Sequence, residues 1–319
     1  MPDRYNMIEH LVAFPDQILE AKDIGASIAL QGPIKAVLIT GAPGSVGHLI
    51  KSAAGDAPVP IMVSTDLSLP KWVDDKTLVF LISHTEDGDE TAELFNEALR
   101  RRAGVIAITS GGKVESTARD KGKTFIKVPR RGVPRNAAAD IVLAACNILS
   151  NANLLGEPLP DVSPMATVLK NDEWRLTAKD LSSKLLNKVP MIITSEKMRG
   201  IGERWKEVLS NNSKVHAISS VISDLDQIEG FANLQARIQV IMIQDEADSN
   251  RQKKLMQSAK KAIEDKGVQV TAIRLKGSAM GKVLSAIHLG DMTSYVLSQL
   301  YDCDPTPTII KDGVLNSSR

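Results

Sequence analysis

The run from Leu78 to Gly112, LVFLISHTEDGDETAELFNEALRRRAGVIAITSGG, constrains the fold more than any other stretch of the chain. It reads in unbroken order as strand, polar turn, helix and strand. Leu78 to Ser83 is continuously apolar, as a strand buried on both faces must be, and Val105 to Thr109 repeats the pattern after the helix. Two such strands joined by a helix are parallel. Between them Ser83, His84 and Thr85 fall where a strand ends and a helix begins. Hydroxyls and free backbone N–H groups meet there at the positive end of a helix dipole, which suits an anion.

The same alternation continues on both sides of that unit. Residues 5 to 30 carry Met7, Ile8, Leu11, Val12, Phe14, Ile18 and Leu19 at helical spacing, interrupted at Pro15, and read as a helical arm over 1–29. Lys35 to Thr40 reads as a buried strand, and GAPGSVGHLIKSA after it as a glycine-rich turn opening a helix. Strands are predicted over Val59 to Ser64 and Thr124 to Val128, and an apolar helix over Ala137 to Leu149. A first doubly wound α/β domain over 30–155 follows. NANLLGEPLPDVSP, with three prolines, breaks the pattern. From 165 to 319 the order starts again. Helices are predicted at Asp172–Leu186, Gly202–Leu209, Arg251–Asp265 and Lys282–Tyr301, and strands at Val189–Thr194, Ala217–Ile222, Ile238–Gln244 and Val268–Leu275. The expected architecture is α/β, with two similar domains whose mostly parallel sheets are flanked by helices. No strict internal sequence period accompanies it.

A length of 319 residues with 43% apolar content suits two domains of ordinary size. Lys plus Arg (39) nearly balances Asp plus Glu (38), so no global field draws the chain to nucleic acid or to an anionic membrane, and an anionic ligand must be recognised locally. No apolar run approaches the roughly 20 residues of a membrane span. Cys146 and Cys303 lie far apart without metal-ligand spacing, and read as reduced thiols of a cytoplasmic protein that holds no metal.

Several features admit a structural reading beside a functional one. GAPGSVG places Gly41, Gly44 and Gly47 as GxxGxxG, not the GxGxxG of a dinucleotide turn. Asp66, the candidate ribose ligand, is of a kind common by chance, so no cofactor is expected. His84 in a polar turn is favoured as a solvated side chain. Arg100, Arg101 and Arg102 close a helix, where cations complement the dipole without any ligand. His216, Glu203, Asp224 and Asp226 read as solvated faces near strand ends.

Taken together, separated stretches resemble the archaeal and bacterial bifunctional phosphoglucose/phosphomannose isomerases, a dimeric group built from two sugar-isomerase (SIS) domains. They are the GxxGS turn (Gly41, Gly44, Ser45), the unit from Ser83 and Thr85 through Glu90 and Thr91, and RRAGVIAITSGGK from Arg101 to Lys113. VPRRGVPR (Val128 to Arg135), SEKMRG (Ser195 to Gly200), IEGF (Ile228 to Phe231) and LGDMTSYVLSQLYDCDPTP (Leu289 to Pro307) complete the set. The resemblance implies that Ser45, Ser83 and Thr85, with Gly44, hold a sugar's phosphate. It implies that Arg135 is the catalytic cation facing the enediolate, and that the protein is a homodimer. Two departures weaken the phosphate turns. Glu86, Asp87 and Gly88 follow Thr85 where the family has a hydroxyl-bearing run, adding two carboxylates. Pro43 removes a backbone N–H from the first turn.

Aldose–ketose isomerisation needs a base between C1 and C2, a cation for the enediolate and a ring-opening acid/base. By the resemblance, the base falls on Asn211, whose amide takes no proton near neutral pH, the ring-opening histidine on Leu225, and a C-terminal lysine on Leu315. Lys311 and His216 stand close enough in sequence to substitute. The reading is therefore a sugar-phosphate-binding protein of this family, partnered by neither nucleic acid nor membrane, with Ser45, Ser83, Thr85 and Arg135 lining one cleft. Two alternatives stay open: an aldose–ketose isomerase using substitute residues, and a catalytically inactive regulatory or structural partner.

Overall fold

A computed structural model describes residues 3–30, 32–41, 44–83, 89–234 and 236–317. The chain divides into two compact units. The first comprises Phe14–Lys170 and Gly277–Leu284, and the second Met1–Ala13, Asn171–Lys276 and Ser285–Arg319.

The first unit is built on five parallel strands: β1 (Ala36–Gly41), β2 (Ile61–Val63), β3 (Thr77–Ser83), β4 (Gly104–Thr109) and β5 (Phe125–Lys127). Their order is β2-β1-β3-β4-β5. β3 is central and all seven of its residues are buried, which is why its sequence shows no alternation. On one face Leu38, Val79, Leu81, Val105 and Ala107 pack against Leu94, Phe95 and Val114 of the helices Asp89–Arg100 and Lys113–Asp120. On the other, the helix Ala138–Asn151 packs against the helices Gly44–Ala54 and Phe14–Ala21. With neighbours on several sides it buries every residue from Ala138 to Leu149.

The amino-terminal helical pattern resolves into Met7–Val12 and Phe14–Ala21, with Pro15 in the first turn of the second, where a missing N–H costs nothing. Beyond it, Asn147 Nδ2 donates to the carbonyls of Lys22 (2.9 Å) and Ile24 (2.8 Å), and Asn151 Nδ2 to those of Ala26 (2.7 Å) and Ile28 (3.0 Å). Two amides one helical turn apart thus satisfy the carbonyls of an irregular segment, fastening it to the helix.

The second unit carries four parallel strands: β6 (Val189–Thr194), β7 (Ile218–Val221), β8 (Ile238–Asp245) and β9 (Val270–Leu275), in the order β7-β6-β8-β9. Met191, Ile193, Val240 and Met242 form a core with Phe231 and with Met256 and Ile263 of the helix Asn250–Glu264. The helix Arg199–Asn212 packs on β6 and β7. Its Arg204 is 1% exposed and pairs with Asp291 of the long helix Ala279–Leu300 (Nε–Oδ1 3.0 Å, Nη2–Oδ2 2.6 Å). Its Trp205 indole N–H donates to the carbonyl of Ala286 (3.0 Å).

The α/β class with parallel sheets is as the sequence implies. Four α-helices are not expected from the sequence, the shortest being Asp226–Glu229. Of the others, Lys113–Asp120 is short and mostly polar, Ser163–Leu169 starts at the end of the proline-rich stretch, and Ile309–Ser317 follows the DPTP turn. In each case local composition signals a loop, and packing or the chain's direction decides otherwise.

Candidate functional site

The strand order of the first unit creates one topological switch point. From β1 the chain crosses to β2 on one side, and from β3 it crosses to β4 on the other, leaving a crevice at the carboxyl ends of β1 and β3. Gly41 and Ile82 are paired across it. Gly41 takes φ +94°, and a Cβ there would stand 2.5 Å from the Ile82 carbonyl oxygen, so only glycine lets the two strand ends come together.

Three of the expected site residues flank this crevice. Gly44 (φ 48°) and Ser45 open the helix Gly44–Ala54 beyond β1, with Ser45 buried at 6% exposure. Ser83 is the last residue of β3, paired with Thr109, and is wholly buried. Its Oγ has no hydrogen-bond partner among the described residues. Thr40 Oγ1, also without one, points to the same face, because Thr40 pairs with Leu81 and the alternation puts Leu81 and Ser83 together. A buried hydroxyl without a partner forfeits about 1–3 kcal/mol, so two of them on one face near the ends of neighbouring strands mark a place where acceptors from a ligand or water belong. Thr85, His84 and the acidic turn at Glu86–Asp87, like Pro43, lie outside the described residues.

The helix Asp89–Arg100 also begins here, since Thr91 Cγ2 lies 3.3 Å from the position of a Gly41 Cβ. Two helix amino-termini therefore converge on the crevice and favour an anion. Asp89 and Glu90 in the first turn of the second helix oppose it, although Asp89 is ion-paired with Lys113.

Arg135 reaches the same edge by another route. It is buried (9% exposed) in the short 3-10 helix Pro134–Ala137 that leads into Ala138–Asn151. That helix runs alongside Gly44–Ala54 with matched direction, because the Gly156 N–H just past its end donates to the carbonyl of Ala54 at the end of the other (2.8 Å). Their amino-termini consequently share the carboxyl edge of the sheet. Ser83 ends β3, and Arg135 follows β5, two strands further along the sheet.

The loop carrying Arg135 is rigidly held. Arg131 pairs with the fully buried carboxylate of Asp140 (Nη2–Oδ1 2.9 Å, Nε–Oδ2 3.2 Å) and with Glu20 (2.8 Å). Burial pushes the Asp140 carboxyl up, and Arg131 opposes that shift. Asn136 Nδ2 donates to the Arg131 carbonyl (3.0 Å), and Arg130 Nε to that of Ser110 (3.3 Å). Beside it a cleft of ≈ 610 Å³ is lined by Ser110, Gly111, Gly112, Glu115, Lys127 and Arg130 among others. The motifs SGG and VPRR carry no mark of a role for Ser110 or Arg130. Nor does Thr40 stand out, because a threonine in an apolar strand carries no mark of its neighbours.

The remaining expected positions lie in the second unit. Asn211, near the end of the helix Arg199–Asn212, lines a cavity of ≈ 640 Å³ with Lys214, His216, Cys303 and Lys311. Leu225 is 51% exposed ahead of the short helix Asp226–Glu229, and Leu315 falls within Ile309–Ser317. The charged candidates are engaged on the surface: Glu203 pairs with Lys206 (3.2 Å), and Asp224 accepts from Gln227 (2.7 Å). Arg101, from the basic run, bonds the carbonyls of Pro70 (2.6 Å) and Leu69 (3.2 Å) and pairs with Glu97, a structural role. Both cysteines are free thiols, and burial pushes that of Cys146 up to about 12. Among the described residues no helix is long and apolar enough to cross a membrane.

The chain is similar to known proteins in sequence and in fold. Residues 175–312 match the bacterial phospho-glucose isomerase C-terminal SIS domain. The chain is 32% identical to a bifunctional phosphoglucose/phosphomannose isomerase of Caldicellulosiruptor bescii, covering 94% of this chain and 95% of that one. It is 30% identical to the protein of that description from Aquifex aeolicus, over 78% of each. In three dimensions it superposes on a hypothetical protein from Thermus thermophilus with a TM-score of 0.76 and 15% identity, covering 99% of this chain and 91% of that one.

Proposed function

The chain belongs to the family of bifunctional phosphoglucose/phosphomannose isomerases, and we propose that it is a sugar-phosphate-binding member whose phosphate sits in the β1/β3 crevice. The observation that carries this reading is Ser83 Oγ, buried and without a partner among the described residues at the end of β3. In the bound state Ser45 and Ser83 donate to phosphate oxygens, Gly44 leaves room for the backbone to approach, and Thr85 adds a third hydroxyl. Arg135 supplies the cation toward the sugar's carbonyl end.

The chemistry expected of the bound sugar is limited by what the chain offers as a base. Proton transfer between C1 and C2 needs a group that accepts and returns a proton, and Asn211 carries an amide. The protein thus binds and orients the sugar phosphate without the usual means of isomerising it. It works as a homodimer in the cytoplasm.

A thermal-shift panel with glucose 6-phosphate, mannose 6-phosphate, fructose 6-phosphate and unphosphorylated glucose tests the proposal. Ligand at about 100-fold its Kd stabilises the folded state by roughly 2.7 kcal/mol, so the phosphorylated sugars should raise Tm and glucose should not. A flat response to all four refutes it. A coupled isomerase assay on the wild type should show no turnover, and Asn211→Glu should introduce it if the rest of the site is intact. Turnover by the wild type would instead favour an enzyme using His216 or Lys311, which line the cavity that Asn211 lines.

A further inference from the structure

The second unit repeats the topological feature that makes the crevice of the first. From β6 the chain crosses to β7 on one side, and from β8 it crosses to β9 on the other, so the carboxyl ends of β6 and β8 flank a second switch point. β6 ends in Thr194, and Ser195 follows it. Thr194 is wholly buried and Ser195 is 4% exposed. Neither Thr194 Oγ1 nor Ser195 Oγ has a hydrogen-bond partner among the described residues. Glu196 and Lys197, next along the chain, are exposed, so these hydroxyls lie just beneath the surface.

Ser195 is the N-cap of the 3-10 turn Glu196–Met198, which runs directly into the helix Arg199–Asn212. A serine in that position normally turns its hydroxyl back to accept from a first-turn N–H. Ser249 does so at the same edge of the sheet, its Oγ accepting the Gln252 N–H (3.2 Å) ahead of the helix Asn250–Glu264. The Ser195 side chain caps nothing. Its hydroxyl and the positive end of the helix are both left for a ligand. Gly202, in the first turn, brings that helix start close to the sheet. A Cβ there would stand 2.7 Å from Ser219 Oγ of β7 and 3.5 Å from Thr194 Oγ1, so glycine allows the approach.

The charges nearby are largely spent on one another. Arg199 holds both carboxylate oxygens of Glu196 (Nε–Oε1 2.9 Å, Nη2–Oε2 2.7 Å), while Glu203 pairs with Lys206 and Asp224 accepts from Gln227. Asp245 and Glu246 at the end of β8 oppose an anion, although Asp245 Oδ1 already accepts the Ala247 N–H (2.8 Å). We infer that the β6/β8 switch point binds a second small oxyanion, free phosphate or the phosphate of a small ester, which accepts from the Ser195 hydroxyl and from first-turn N–H groups, with Thr194 beside it. It shares no residue with the β1/β3 crevice. The 14 residues of the helix Arg199–Asn212, roughly 20 Å of length, separate it from the Asn211 end.

Equilibrium dialysis of the full-length protein against radiolabelled inorganic phosphate should find two sites per chain. Ser83→Ala should weaken one about tenfold and Ser195→Ala the other by a similar factor, each through the loss of one hydrogen bond to an anion. Ser195→Asp should empty the second site, because aspartate is itself a good N-cap and its carboxylate takes the anion's place. Melts without ligand report whether each variant folds. If Ser195→Asp does not, Ser195→Ala, which removes only a hydroxyl without a partner among the described residues, carries the test. Unlabelled glucose 6-phosphate that displaces the label from the Ser195 site supports an ester as its ligand, and label retained there supports free phosphate. A single site that responds to Ser83→Ala and not to either change at Ser195 would overturn the inference and leave the β1/β3 reading standing. A single site that responds only to Ser195 would do the reverse, and no saturable site would refute both.

Discussion

Gly41 and Ile82 close the ends of β1 and β3 so tightly that a Cβ on Gly41 would stand 2.5 Å from the Ile82 carbonyl oxygen. The crevice proposed to hold phosphate is shaped by this approach. Gly41→Ala must relieve both the clash and a φ of +94°, so it should cost on the order of 1–3 kcal/mol and lower Tm. It should also abolish the thermal response to sugar phosphates. A variant that melts and responds like wild type would place the ligand elsewhere.

Ser83→Ala separates stability from binding. Removing a buried hydroxyl that has no partner among the described residues should leave the ligand-free Tm unchanged or raise it, since the penalty of about 1–3 kcal/mol goes with it. Affinity for a 6-phosphate should fall about tenfold by the loss of one hydrogen bond to an anion. Calorimetry with glucose 6-phosphate, beside melts without ligand, reads both.

Arg135→Ala should weaken sugar-phosphate binding by about tenfold or more, the equivalent of a charge-assisted contact of roughly 1.5–3 kcal/mol. Unchanged affinity, measured by the same calorimetry, would show that the arginine faces something other than the ligand.

Arg204 and Asp291 form a buried pair, 1% and 6% exposed. Asp291→Asn removes the counter-charge beside the buried guanidinium and should destabilise the protein by roughly 3–5 kcal/mol. The double change Arg204→Met with Asp291→Leu should recover most of that, because both desolvation costs disappear together. Urea unfolding of the single and double variants closes the cycle.

His288 is 5% exposed, with its ring edge-on to Trp174 at 6.0 Å. Burial first, and the nearby Arg175 second, lower its pKa from 6.5 to about 4. Unfolding frees the imidazole to take up a proton anywhere between those values, so its contribution is complete above pH 6.5. As pH falls to about 4 it is lost, on the order of 3 kcal/mol in all. His288→Leu should flatten the stability profile across that window relative to wild type, and a parallel decline in both would assign the acid sensitivity to other groups.

The amino-acid sequence by itself determined the class of fold. Strands such as Leu78 to Ser83 are apolar on both faces, and helices such as Asp89–Arg100 show one apolar stripe, because each element needs only its own solvent contact to be legible. Residue order and spacing also identified the family, through pieces like the GxxGS turn and VPRRGVPR. Local sequence stopped short wherever a role depends on what comes close from afar. Thr40 looks like any strand residue until its neighbour's Ser83 is found, like it, without a partner among the described residues. Arg131 and Arg135 look alike in VPRRGVPR, yet one is committed to Asp140 and Glu20 while the other lies in the turn leading to the carboxyl edge of the sheet. Asn211, His216, Cys303 and Lys311 are scattered over a hundred residues and meet around one cavity only because the 303–308 turn is fastened to a helix end. Hydrogen-bond satisfaction, ion pairing and cavity shape are properties of pairs and groups of atoms distant along the chain, and only the tertiary structure decides which of them meet.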